Sequence, residues 1–459
     1  MDQLPLSRNR LRVRNLRADL SLRHPARLIT VGFFALVVLG SVALALPLAA
    51  GGSDGIGWRT AVFTATSATT VTGLGLVDTG KAFSLFGQTI IAVLVQVGGL
   101  GVMTMASMVG LLVSRRLGLR ARTLAIGEAS GITSGEVRST LKAVATIALV
   151  VELATALVLA VRFATTYDYS APKALWHGVF HSVMAFNHAG FSLYADNLMQ
   201  FVNDPVVNSV LIVSMVVSSV GFPVLRELHR ERRPRRWSVH TKLTLSVTAI
   251  LLILGPLVVM LFEWTNGGTL GPLSVPQKVL ASTFQGVTPR SAGFNTLDYG
   301  AMRNDTTLFT GVLMFIGCGA ASTGGGIRVT TLAVLGLACW AEIRGDQGPT
   351  AFGRRIPDSA VRQALTITLV SIAACGASVT VILAATPLLL DKVLFEVLSA
   401  FGSVGLSTGI TSQVGLIGEV TLIALMFLGR VGPATLGAAL VLRDRRRLYE
   451  YPEGRPLVG

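Results

Sequence analysis

The chain has 459 residues, of which 51% are hydrophobic and only 14% charged, and it carries a formal net charge of +15. So little charge cannot cover a soluble fold of this size, and the charge-free runs Leu28–Ala50, Leu85–Val113 and Leu243–Phe262 approach or exceed the roughly 20 residues a helix needs to cross a bilayer. The composition therefore points to an integral membrane protein. Placement of the charge excludes nucleic acid as its target: 29 of the 39 Lys and Arg fall at the two ends and in every second connection, which is the positive-inside pattern.

In chain order, residues 1–27 read as a cytoplasmic basic N-terminus. The run 28–50 is too long for a signal-peptide core and is expected to stay as a helix. It pairs with a second helix at 82–114 to make repeat 1 (28–114), and between them lies "FTATSATTVTGL" (63–74), too short to cross. Helices at 139–166 and 205–225 flank "FHSVMAFNHAGF" (180–191) in repeat 2 (139–225). The following "RELHRERRPRRW" is expected to be a cytoplasmic loop near anionic lipid headgroups. Repeat 3 (241–340) sets helices 241–264 and 307–340 around "TFQGVTPRSAGF" (283–294). Repeat 4 (359–442) sets 359–385 and 415–442 around "FEVLSAFGSVGL" (395–406), and 443–459 form a cytoplasmic C-terminus. The expected fold is all-α and integral to the membrane, with eight transmembrane helices in four helix–pore-loop–helix repeats of pseudo-fourfold symmetry.

Aligned without gaps, the four short segments place Gly73, Gly190, Gly293 and Gly405 in one column, spaced by 117, 103 and 112 residues. Each is followed by Leu or Phe, and five positions earlier stand the small residues Ala68, Ala185, Thr288 and Ala400. Self-similarity on this scale reads as duplicated membrane units. Non-helical backbone at membrane depth needs surrounding protein or water, and glycine opens backbone angles closed to other residues. Four such turns about an axis would aim carbonyl oxygens at a common point and replace the hydration shell of a monovalent cation. Short helices ending there would present their negative poles.

These motifs, "TVTGL", "FNHAGFS", "TPRSAGFNT" and "FGSVGLSTG", with "GQTIIAVLVQVGGLG" and "GRVGPATLG", resemble the TrkH/KtrB/HKT superfamily of potassium transporters over about residues 25–443. The short N-terminus looks more like the KtrB branch. The resemblance implies channel-like potassium translocation in the cytoplasmic (inner) membrane with both termini cytoplasmic. It also implies a homodimer with one pore per subunit, a cytosolic ring of RCK-type nucleotide-binding subunits, and uptake promoted by sodium; no covalent cofactor is expected. Its filter strands fall on Thr70, Val71, Thr72, Gly73 and Leu74; on Asn187, His188, Ala189, Gly190 and Phe191; on Arg290, Ser291, Ala292, Gly293 and Phe294; and on Gly402, Ser403, Val404, Gly405 and Leu406. His188 departs from the asparagine common in the family: silent if the ion meets its carbonyl, repulsive to cations if a protonated ring faces the pore.

The sixth long helix contains "IGCGAASTGGGIRVTT" (316–331), where three successive glycines with Ser322 and Thr323 should break it mid-membrane. The segment lacks the ending of a phosphate cradle. The resemblance makes 317–326 (Gly317, Gly319, Ser322, Thr323, Gly324, Gly325 and Gly326) an intramembrane gate, a flexible polar segment below the filter; the alternative is a structural kink. Arg430, costing at least about 2.5 kcal/mol inside an apolar helix, is expected to serve that gate. Arg328 reads as an interface or dimer-contact residue.

Weaker signals have plainer readings. Arg290 is expected to point behind the filter, bracing carbonyls or pairing with a carboxylate. Glu396 is either a vestibule attractant for cations or an ordinary interfacial charge. His177 and His181 share a helical face but lack a third ligand. Glu152 reads as a structural hydrogen-bonding group, and "GGLG" (98–101) as close helix packing. Cys318, Cys339 and Cys375 read as small buried hydrophobes. With no catalytic or complete metal cluster the chain is not expected to be an enzyme. The competing transport reading is a sodium- or proton-coupled secondary transporter, which would need midplane carboxylates and broken helices in paired halves.

Overall fold

The computed structural model describes residues 25–53, 55–122 and 134–442. Residues 1–24 of the expected N-terminus, all of the expected C-terminus 443–459, and the basic connection 123–133 lie outside these residues. The architecture is helical: α1 Pro25–Leu44, α2 Trp58–Thr69, α3 Leu85–Arg122, α4 Ser134–Thr166, α5 Ala171–Asn187, α6 Pro205–Val220, α7 Phe222–Arg230, α8 Val239–Glu263, α9 Val275–Val287, α10 Asn304–Phe315, α11 Val329–Arg344, α12 Asp358–Ala385, α13 Leu390–Gly402 and α14 Gly415–Leu442. The strands among the described residues are β1 Thr350–Ala351 and β2 Arg354–Arg355, a two-stranded hairpin absent from the sequence expectation.

Lys142–Thr166 of α4, all of α8 and α12, and Gly415–Gly432 of α14 are each long and apolar enough to cross a membrane. The bent pair α6–α7 adds a fifth. Two expected spans look different for physical reasons. The 205–225 helix turns through 92° at Gly221, whose φ of +93° ends α6, while Pro223 suits the first turn of the restarted helix. The 307–340 helix is split, with Ile316–Arg328 non-helical between α10 and α11.

The short helices α2, α5, α9 and α13 are buried within this frame, packing on α1, α4, α8 and on α12 and α14. Backbone contact holds them there. A β-carbon on Gly98 would strike the Thr69 carbonyl at the end of α2, and one on Gly429 would strike the Phe401 carbonyl in α13. The "GGLG" stretch is therefore a close helix crossing, as its small residues suggest.

At the α4–α6 junction Asp204 caps α6, accepting from the amides of Val206 (2.9 Å) and Val207 (3.2 Å), from Arg162 Nε (2.9 Å) and from the Tyr167 hydroxyl (2.9 Å). Burial alone would raise its carboxyl, but Arg162, the two amides and Tyr167 outweigh burial and hold it below the ordinary carboxylate value. A carboxyl depressed by folding stabilises the protein fully above its unfolded pKa of about 3.9, and the contribution fades as pH falls through the lower folded value. Asp204→Asn is expected to lower stability at pH 7 by about 1–2 kcal/mol, and the gap from the parent should narrow as the buffer approaches about pH 3. Thermal unfolding of both proteins in detergent checks this; a gap that is absent, or constant with pH, refutes it.

Candidate functional site

Three of the buried helices end alike. The amides of Val71, His188 and Ser403 donate to the carbonyls of Ala68, Ala185 and Ala400 at 3.1, 3.3 and 3.2 Å. Those of Thr72, Ala189 and Val404 reach back to Ser67, Met184 and Ser399 at 2.7, 2.9 and 2.9 Å. This is a Schellman closure, whose left-handed position usually goes to glycine. Here it is held by Val71 (φ 58°), His188 (φ 65°) and Ser403 (φ 48°). Two residues later the chain turns left-handed again at Gly73, Gly190 and Gly405, with φ of 92°, 62° and 95°. The third segment reaches the same alternation at Ser291 (φ 82°) and Gly293 (φ 75°) by another route, with Arg290 N–H bonded to Val287 O at 3.2 Å and Ala292 N–H to Thr288 O at 2.9 Å. A β-branched residue in left-handed backbone is strained, so Val71 marks a turn that its surroundings impose.

The four glycines close a ring. A β-carbon on Gly73 would lie 3.0 Å from Gly190 Cα, one on Gly190 2.9 Å from Gly293 Cα, and one on Gly405 3.1 Å from Gly73 Cα. One on Gly293 would strike the Val404 carbonyl, which completes the circuit. The carbonyls of Thr72 and Ala189 stand in the same relation to Gly405 and Gly73. No side chain fits where the segments meet.

Side chains of the candidate strands turn away from this ring. Asn187, the last residue of α5, donates through Nδ2 to Gln96 Oε1 (2.6 Å), Glu152 Oε1 (3.2 Å) and Val183 O (3.0 Å). Gln96 Nε2 donates to both Glu152 oxygens at 2.9 and 3.0 Å, so Glu152 is a hydrogen-bonded structural carboxylate. The buried His188 ring has Nε2 3.0 Å from Met215 O and 2.8 Å from Ser218 Oγ; facing a carbonyl, Nε2 must carry the proton. Arg290 reaches Thr248 Oγ1 at 3.5 Å. Among the described residues no carboxylate pairs with it, so that part of its expected role fails. Thr70 bonds within its own segment, to Thr66 O (2.7 Å) and Thr72 Oγ1 (2.8 Å).

Glu396 meets neither description offered by the sequence. It is fully buried and accepts from Ser407 Oγ (3.1 Å) and from the Thr411 hydroxyl, tying α13 to the returning chain. His181 does the same work in the second segment: Nδ1 lies 2.8 Å from His177 O, and Nε2 meets Ser192 Oγ at 3.2 Å and the Leu193 amide at 3.4 Å. Both ring nitrogens are thereby engaged, and no group of three metal-ligating side chains occurs among the described residues. Cys318 and Cys375 are buried, whereas Cys339 is exposed, because α11 turns that face outward.

Against the ring packs the break between α10 and α11. Ile316 and Ile327 pair as a parallel bridge, with Gly317 N–H on Ile327 O at 2.8 Å and Val329 N–H on Cys318 O at 3.2 Å. The loop between them is pinned on every side. Thr323 Oγ1 donates to Phe186 O (3.1 Å), Gly325 N–H to Ser291 Oγ (2.9 Å), and Gly319 N–H to Ser219 O (2.8 Å). Ser291 Oγ also reaches Ser403 O at 3.0 Å and Gly402 O at 3.3 Å. Gly325 sits so close that a β-carbon would lie 2.6 Å from Gly402 O, and one on Gly324 would lie 2.7 Å from Cys318 Sγ. Gly326 turns with φ +70°, and Ser322 Oγ bonds to Gly319 O at 2.7 Å. The expected flexible segment is thus a compact, buried one.

Two arginines hold it. Buried Arg430 donates through Nη1 to the Thr323 carbonyl. Arg328, read from the sequence as an interface or dimer-contact residue, instead directs Nη1 into the loop, at 2.6 Å from Gly324 O, 3.3 Å from Ser322 Oγ and 3.4 Å from Gly319 O. The chain doubles back at 316–328, which returns Arg328 to the loop's mouth; its hydropathy context alone could not reveal this. A second contact the sequence missed is the α6–α7 bend, where Phe222 N–H donates to Ala321 O at 3.2 Å. The Gly-Phe-Pro at 221–223 was the available signal.

Four buried helices that end at one ring of glycines, inside an apolar helical frame with a pinned loop against the ring, define a multi-pass membrane protein built on re-entrant segments. The chain belongs to the TrkH family: a family model described as cation transport protein matches residues 14–443. It is 40% identical over 437 residues to the Ktr system potassium uptake protein B of Bacillus subtilis (strain 168), covering 95% of this chain and 97% of that protein. It is 36% identical to the protein of the same name from Vibrio alginolyticus, with 94% of each chain covered. To the potassium/sodium uptake protein NtpJ of Enterococcus hirae it is 33% identical, over 95% of this chain and 97% of that one. The crystal structure of the potassium transporter TrkH from Vibrio parahaemolyticus shares the fold, with a TM-score of 0.70 at 18% identity over 92% of this chain and 85% of the other.

Arg328→Gln removes the charge-assisted bonds that close the loop. Amide hydrogen exchange across 317–326 is expected to quicken by roughly tenfold, the equivalent of about 1.4 kcal/mol of local opening. Unchanged protection in this loop would show that Arg328 does not hold it.

Proposed function

We propose that the chain is the ion-translocating subunit of a potassium uptake system, passing potassium through the ring of Gly73, Gly190, Gly293 and Gly405. The observation that carries this is the closure of that ring, with four helix C-termini directed at it. Helix C-termini carry partial negative charge, and main-chain carbonyls can stand in for a cation's water. The carbonyls of Thr70, Val71 and Thr72, of His188 and Ala189, of Ser291 and Ala292, and of Ser403 and Val404 are the candidate ligands for the transported ion. With its ring turned back toward Ser218, His188 offers the path only its main chain, so its departure from asparagine is silent for permeation.

The loop 317–326 is the gate and Arg430 with Arg328 its latch. A loop bonded to Phe186, Ser291 and Ser219 together lies across the face of the ring where the helices end, and opening it requires those bonds to break. Glu152 and Glu396 are each fixed by hydrogen bonds behind the ring, an arrangement suited to a pore and not to carboxylate-coupled exchange. The relatives' names support potassium as cargo, and that of NtpJ supports a part for sodium, here as an activating ion. "Ktr system" names a multi-component assembly; a homodimer carrying a cytosolic RCK-type ring is the form proposed for this chain. The alternation of its basic connections supports a reading with both termini in the cytoplasm and the chain in the inner membrane.

The test is rescue of a potassium-uptake-deficient bacterium at low external potassium, with and without sodium. Gly405→Ala places a methyl group against the Thr72 carbonyl at a φ of +95°, and such strain costs about 1–3 kcal/mol. The variant is expected to reach the membrane yet lose rescue or admit sodium; normal uptake and selectivity would refute the filter. Removing several residues within 317–326 is expected to raise potassium flux, and flux equal to the parent's would return the loop to a structural kink.

A further inference from the structure

Beyond α6 the chain forms an open cleft of about 410 Å³, lined by Pro223, Arg226, Glu227, Arg230, Glu231 and Arg236. Its two carboxylates are already committed. Glu227 accepts from Ser238 N–H (2.6 Å), Ser238 Oγ (2.7 Å) and the Thr241 hydroxyl. Glu231 accepts from Arg233 N–H at 3.0 Å and pairs with Arg236 at 3.8 Å. Arg226 and Arg230 stand one turn apart on α7, exposed, and among the described residues no carboxylate pairs with either. Like charges at this spacing repel, so one wall of the cleft carries unneutralised positive charge. The 92° bend at Gly221 turns α7 across the direction of α6, with Phe222 and Val224 buried and both arginines outward. A helix turned aside where a span ends suits headgroup depth.

We propose that this cleft binds a phosphate-bearing anion, the headgroup of an anionic lipid, and that its occupancy is transmitted to the loop at 317–326. The link is short: Arg226 sits one turn from Phe222, whose amide holds Ala321 O at 3.2 Å, while Ser219 O, just before the bend, accepts from Gly319 N–H at 2.8 Å. A β-carbon at Gly221 would strike the Ala320 carbonyl, so tilting α7 moves backbone that touches the loop. A headgroup bridging two arginines gains charge-assisted hydrogen bonds and the attraction of the leaflet for basic residues. Binding stands by itself; the transmission rests on the gate reading.

Full-length protein in detergent is titrated with dioctanoyl phosphatidylglycerol, dioctanoyl phosphatidylcholine and inorganic phosphate, with binding read by native mass spectrometry. Saturable binding of phosphatidylglycerol over phosphatidylcholine is expected, weakened on the order of tenfold or more in R226Q/R230Q. In R232Q/R233Q, equally basic but outside the cleft, it should change by less than about twofold. Equal loss in both variants would reduce the effect to diffuse charge, and no loss in either would remove the site. Inorganic phosphate binding in place of the lipid would overturn the lipid source. If R226Q/R230Q instead released cytosolic partner subunits with lipid binding intact, the surface would belong to a protein and the proposal would fall. Potassium flux into phosphatidylethanolamine vesicles with and without phosphatidylglycerol tests transmission: the lipid should shift parental flux and leave R226Q/R230Q unaffected. Lipid-insensitive flux with normal binding overturns the transmission alone, and absent flux in the parent counts against the transport reading while leaving the binding result intact.

Discussion

Everything in this fold follows from one constraint: main chain that leaves the helix inside a membrane must find partners for its amides and carbonyls within the protein. Four segments leave the helix here, at residues following Thr69, Asn187, Val287 and Gly402, and a fifth at Ile316. Many of the amides that can no longer bond within a helix are matched locally. In three segments a Schellman closure takes up two amides, and Ser67 and Ser399 then receive the amides of Gly73 and Gly405 at 3.0 and 3.1 Å. The hydroxyls of Ser67 and Ser399 are therefore structural substitutes for water. Of the proposed ligand carbonyls Ser403 O takes a hydrogen bond from Ser291 Oγ, and an apolar environment makes the others near the ring available to a cation.

The same constraint explains why the buried polar side chains lie behind the ring instead of in it. Gln96, Glu152 and Asn187 form one such cluster, His181 with Ser192 another, and Glu396 with Ser407 and Thr411 a third. Each joins a buried helix to a neighbouring helix or to the chain returning outward. A carboxylate or imidazole in these places is costly unless paired, and hydrogen-bonded networks rigidify what they connect. Rigid backing matters where main-chain oxygens are to hold an ion at fixed distances.

Much of this was legible in the sequence because glycine is the only residue tolerated where the four segments crowd together. The column at 73, 190, 293 and 405 thus exposes the repeat, and the broken helix at 317–326 is announced by its three consecutive glycines. The other left-handed positions were hidden: Val71, His188, Ser291 and Ser403 share no residue type, since surrounding bonds and not local preference impose their conformation. The side-chain partners were hidden too. Gln96, Glu152 and Asn187 come from three helices, and Arg328 meets Gly324 only because the chain doubles back. The 92° turn at Gly221 was readable from Gly-Phe-Pro, but the apolar run around it argued for a continuous span.

The third repeat departs from the other three, and the departures belong together. Its buried helix ends without the Schellman closure, its second long helix is split, and Ser291 is the hydroxyl that joins the two changes. That hydroxyl has a single proton, directed toward Ser403 O or Gly402 O, and accepts from Gly325 N–H. Through Ser291 the loop is bonded at once to the third and fourth segments, and through Thr323 to Phe186 in the second. A ring made of equivalent segments has no element that can move without the others, so a movable part must break the equivalence. Confining the change at the ring to one repeat leaves three closures intact while freeing one helix to unwind. On the proposed reading this is why the gate and the irregular filter strand occur in the same quarter of the molecule.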